Sequence, residues 1–178
     1  AEDVVRGMPA FMDEVCAAFD VVLANTGAAW AEQHAVLLER SSAALFLIDQ
    51  RASSVRACKH AIELCARCGI ASGPFRFAVN RCAKNAPLTP MDVCSALQVA
   101  SAYELRDGGR DVEDYLGGGA AAELLESGNE FCSSLQHVMV RLLPGADGRQ
   151  FGQPVSAESK TSGRRGRHAG RKRKWGSR

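Results

Sequence analysis

Three groups of residues in this 178-residue chain have types and spacings that can do chemistry. Cys65-Ala-Arg-Cys68 has the spacing of a redox pair or of half a zinc site. A zinc site needs a second pair of ligands, but Cys82 and Cys94 stand twelve apart with no His at ligand spacing, so no metal is expected. Asp49 directly follows the apolar run Ala43 to Ile48, where it can bind a cation, act in catalysis, or simply cap the next helix in competition with Ser53. Asn80-Arg81 ends a second apolar run, Phe75 to Val79. A carboxamide at a strand's carboxyl end can pair with the donor and acceptor edge of adenine, and an adjacent Arg can stack on a base or neutralise phosphate. The same two residues also suit the start of a polar turn. His34, His60 and His137 are isolated from any partner that would make a nucleophilic site, so no catalytic residue is assigned.

Nucleotide hydrolysis needs backbone N–H groups cradling the phosphates, a Lys, and a carboxylate to organise Mg2+. No G-x-x-x-x-G-K-[ST] occurs in the chain. Gly163-Arg-Arg-Gly166 and Gly170-Arg-Lys172 follow no strand and cannot substitute for it. These 178 residues are not expected to hydrolyse ATP alone.

The elements that must position these residues follow from periodicity. Apolar residues from Val4 to Phe19 recur at spacings of three and four and predict an amphipathic helix. Val21 to Ala24, ended by Asn25-Thr26-Gly27, predicts a short buried strand, so the sheet is expected to include residues 20–25, 43–48 and 75–80. Helices are predicted over 31–40, 55–68 and 130–143, the second closed by Gly69. Thr89-Pro-Met-Asp92 is a helix start, with a capping hydroxyl, a Pro in the first turn and an acid near the positive end of the dipole. Val99 to Tyr103 is a candidate fourth strand, and Gly117-Gly-Gly119 a break. Strands alternating with helices imply parallel βαβ units, and continuous apolar strands imply helices on both faces. The first strand has no earlier neighbour to pair with, which points to truncation upstream of Ala1.

The net charge of +2 conceals two unlike regions. Residues 1–159 carry all 20 acids against 13 Lys and Arg, a net of −7, while the last 19 residues hold nine bases and no acid. Residues 1–144 are expected to form the α/β body and 145–178 a disordered tail rich in Gly, Arg and Lys. Arg164, Arg165, Arg167, Arg171, Lys172, Arg173 and Lys174 can attract the phosphates of nucleic acid or an anionic membrane, or form only a solvated end. No apolar run approaches the ~20 residues a membrane helix needs, and no signal peptide opens the chain. Seven cysteines in mostly apolar settings suit reduced thiols in the cytoplasm.

Three segments, taken in order, resemble the carboxyl-terminal half of a MinD/ParA-like P-loop ATPase, most of all its CpaE/TadZ-like branch and relatives linked to septum-site determination. They are Phe19-Asp-Val-Val-Leu-Ala-Asn-Thr-Gly-Ala-Ala-Trp30, Ala43-Ala-Leu-Phe-Leu-Ile-Asp-Gln-Arg-Ala-Ser-Ser-Val-Arg-Ala57, and Phe75-Arg-Phe-Ala-Val-Asn-Arg81. The resemblance covers about residues 4–143 and implies a partial P-loop NTPase domain with a mostly parallel sheet. It places Asn25 where the family carries the Walker B Asp, and Asn80 and Arg81 near the adenine. ATP with Mg2+ follows only if a Walker A lies upstream.

The resemblance further implies a homodimer that organises a secretion, pilus or division machinery, cytoplasmic or peripheral at the inner membrane face. Two other functions stay open: a degenerate scaffold that does not hydrolyse ATP, favoured by Asn25, and a nucleic-acid binder working through the basic tail.

Overall fold

The computed structural model describes residues 2–27 and 30–143. The tail expected over 145–178, with its seven anion-binding candidates, lies outside the described residues. In chain order the elements are α1 (Glu2–Ala18), α2 (Glu32–Arg40), β1 (Ala44–Asp49), α3 (Ala52–Arg67), β2 (Phe75–Cys82), α4 (Pro90–Leu97), β3 (Tyr103–Arg106), α5 (Gly109–Gly117), α6 (Ala121–Glu126) and α7 (Glu130–Leu142).

The described strands form one parallel sheet in the order β1-β2-β3. Parallel neighbours need crossovers long enough for a helix, and α3 and α4 supply them. Alternation along the strands then divides the core into two faces. Ile48 and Val79, both fully buried, point toward Val55 and Cys58 of α3 and Val93 and Leu97 of α4. Ala78 and Leu105 point the other way, against Val138 of α7. The α/β class and the helices on both faces expected from the apolar runs are therefore present. The sheet is small, and among the described residues nothing pairs with the outer edge of β1.

The strand expected over 20–25 does not form. Residues 21–27 have no regular secondary structure, and Phe19, Val21 and Leu23 are exposed. The end of this segment is held elsewhere. Asn25 Oδ1 accepts the Gly27 N–H at 3.3 Å, and the Thr26 carbonyl accepts from His34 Nε2 at 3.2 Å. His34 is buried, and its Nδ1 accepts the Ala31 N–H at 3.0 Å, so one tautomer ties the segment to the start of α2. Four apolar residues alternating with nothing cannot hold a strand without a ladder partner.

Helix ends explain most of the remaining boundaries. Helix α3 closes in a Schellman motif: Ile70 N–H donates to Cys65 O at 2.9 Å and Gly69 N–H to Ala66 O at 3.1 Å. Gly69 has φ +74, a conformation that favours glycine. The accompanying apolar contact is also present, because Cys65 and Ile70 share one buried cluster with Phe75. At α4 the predicted start is realised as a capping box. Asp92 N–H donates to Thr89 Oγ1 at 3.2 Å, and Thr89 N–H donates to Asp92 Oδ2 at 2.8 Å. The Thr89 hydroxyl and N–H together hold the Asp92 carboxyl below its ordinary range.

The strand expected over 99–103 begins only at Tyr103. Gln98 caps α4 with φ 58, and Val99 N–H donates back to Cys94 O at 3.1 Å, so the helix end consumes the first residues of the run. Helices α5 and α6, on either side of the predicted break, had no clear periodicity to announce them. No residue of α5 is buried, and only Leu124 of α6 is. No helix among the described residues is long and apolar enough to cross a membrane.

Candidate functional site

Ligands of open parallel sheets bind at the carboxyl ends of the strands. There the register sets Asp49, last of β1, opposite Asn80 of β2. Asn80 Nδ2 donates to Asp49 Oδ1 across 3.4 Å, a long bond between two half-buried side chains. Asp49 does not cap α3. The N-cap is Arg51, without a side-chain cap, and it is Ser54 Oγ that accepts the Asp49 N–H at 3.0 Å. Ser53, expected to compete for the cap, is exposed.

Gln50, which the sequence did not single out, fixes this edge from below. It is buried, its Oε1 accepts the Ala83 N–H at 2.8 Å, and its Nε2 donates to Leu88 O at 2.6 Å. One side chain thus ties the end of β1 to both ends of the loop after β2. A Gln following an apolar strand carries no signal of its own, because polar residues usually mark the turn there.

Arg81 sits at an irregularity. Register shifts between Val79 and Cys82, and Arg81 takes φ 52, a left-handed conformation uncommon for a residue with a side chain. The bulge turns its guanidinium toward α5, where Nη2 lies 3.2 Å from Glu113 Oε1 and Nε lies 3.8 Å from Asp107 Oδ1. Arg81 therefore pairs with two carboxylates on the surface, while the Asn80 carboxamide lies against Asp49. The third predicted residue, Asn25, is exposed and makes its own turn with Gly27, with no hydrogen bond to Asp49 or Asn80.

A separate cleft of about 300 Å³ opens between the start of α2 and the end of α3, lined mostly by apolar side chains including Trp30, Leu64 and Ile70. It lies by the amino ends of the strands, where Ile70 meets Phe75, and takes in none of the edge residues. Cys65 and Cys68 both line it. Of the other histidines among the described residues, His60 pairs with Glu63 at 3.3 Å on the exposed face of α3, and His137 is exposed on α7. Among the described residues no three His, Cys, Asp or Glu converge as metal ligands.

No family model matches this chain, and neither a curated protein nor a solved structure is found similar to it.

Proposed function

We propose that this chain is part of a MinD/ParA-like ATP-binding protein that organises a secretion, pilus or septum-site machinery in space. Its own contribution is the sheet edge that meets the adenine. The observation behind this is the Asn80–Asp49 pair at neighbouring parallel strand ends. The bond to Asp49 uses one N–H of the Asn80 carboxamide and leaves its other N–H and its oxygen. Those two groups match the N7 acceptor and N6 amine of adenine, the usual bidentate partner of a carboxamide. These residues are not assigned the phosphates or Mg2+; ATP with Mg2+ follows only if a Walker A lies outside them, and a homodimer would then enclose the nucleotide. The basic tail adds an anionic membrane or a nucleic acid as the surface to which the assembly attaches.

A specific observation favours a second reading, a degenerate ATPase acting as a scaffold. Asn25 supplies no negative charge to a hard cation that prefers anionic oxygen, and its amide closes a local turn with Gly27.

Equilibrium binding of ATP, AMP, adenosine and GTP to the full chain tests the proposal. Adenine compounds should bind with similar affinity whatever their phosphate count, ahead of GTP. Asn80→Ala should weaken them by about 1–3 kcal/mol. GTP binding as well as ATP, or an Asn80→Ala variant that binds adenosine unchanged, would remove Asn80 from the site.

A further inference from the structure

Helix α3 ends beneath the apolar cleft with two thiols of opposite character. Cys65 is 1% exposed and packs with Ile70 and Phe75. Cys68, the C-cap of the helix, is exposed. Residues three apart on a helix share a face, and both cysteines line the same cleft. We infer that Cys65 and Cys68 form a reversible disulfide, made by exchange with a low-molecular-weight disulfide that reaches Cys68 from solvent.

The order of steps follows from the two environments. The Cys68 thiolate attacks one sulfur of the small disulfide, forms a mixed disulfide and releases the first small thiolate. Cys65 then gives up its proton and attacks the Cys68 sulfur, which expels the second small thiolate. The two protein thiols lose two electrons, the small disulfide gains them, and the two thiol protons end on the two small thiols. Cys65 is poorly placed to act first, because burial and the neighbouring Cys68 push its thiol above the ordinary range. Once Cys68 is derivatised, the second attack is intramolecular and gains from proximity.

Geometry also sets the character of the bond. Side chains three apart on a helix have Cβ atoms about 5–6 Å apart, whereas a disulfide needs about 3.5–4.5 Å. Closing it draws the C-cap inward against the Schellman bonds from Gly69 and Ile70. A bond formed under that strain is readily reduced, as suits a reversible modification and not a permanent staple. It would also pull on Cys65, where the cleft meets the core.

The full chain is treated with oxidised glutathione, quenched in acid and digested with trypsin without reduction. Cleavage after Arg67 separates the two cysteines, so the disulfide appears as residues 60–67 joined to 68–76. That species should form in the wild type, disappear with dithiothreitol, and be absent from Cys68→Ser, which changes only an exposed side chain. In Cys65→Ala, Cys68 should retain glutathione. A glutathione adduct that persists on Cys68 in the wild type would overturn the inference. So would pairing of Cys68 with Cys16 or with a second chain, or no loss of thiols at all.

Discussion

Gln50 Oε1 accepts the Ala83 N–H at 2.8 Å, so a residue just past β1 holds the chain that leaves β2. The Gln50 amide meanwhile reaches Leu88 O. Replacing this side chain with an apolar one removes both bonds, each worth about 0.5–1.5 kcal/mol net. Gln50→Leu should therefore lower the unfolding free energy by about 1–3 kcal/mol, and with it the urea midpoint, despite its similar volume. An unchanged midpoint would mean that water replaces both bonds without cost.

Burial pushes the Cys58 thiol up to about 11. The sign follows from proton binding. Between the ordinary thiol value of 9.0 and the folded value, the unfolded chain has lost this proton and the folded chain has kept it. Stability must then fall as pH rises, by up to about 1.4 kcal/mol per pH unit. Denaturation followed from pH 8 to 11 should show that loss, and Cys58→Ala should flatten part of it. Cys65, Cys82 and Cys132 are raised by burial as well and will leave a residual slope.

Much of the body is legible where a single physical cause acts locally. The apolar run Ala43 to Ile48, found as the strand Ala44–Asp49, the glycine after α3, and Thr89 three before Asp92 all declare themselves in the sequence. The misses have a common cause, which is dependence on a distant partner. Val21 to Ala24 has strand composition but no ladder to join, and His34, isolated in sequence, claims Thr26 instead. The contact of Arg81 with Glu113, 32 residues away, is likewise announced by no local pattern. Gln50 depends on Ala83 and Leu88 in the same way. The position of Asn80 near the carboxyl end of β2 was legible because the apolar run before it sets it, and not a remote contact.

Gly108 provides a test of close packing at the start of α5. A Cβ there would lie 2.6 Å from Asn129 Oδ1 and 2.9 Å from Phe131 Cβ. Asn129 caps α7 through Phe131 N–H and also donates to Gly108 O at 3.1 Å. Gly108→Ala should separate these elements and cost about 1–3 kcal/mol, the usual range for overpacking. Gly117→Ala, which meets nothing within 4 Å, is the matched control and should lie within about 0.5 kcal/mol of wild type. Equal effects of the two substitutions would show that the contact at Gly108 is not restrictive.

The central claim is that the carboxyl edge at Asn80 receives an adenine. Backbone amide resonances of the full chain, followed as adenosine is added, test this without relying on phosphate contacts. Saturable shifts centred on Asp49, Asn80 and the chain between Cys82 and Leu88, lost in Asn80→Ala, are the predicted result. Shifts confined to Trp30, Leu64 and Ile70 around the opposite cleft, or none at all, would contradict it.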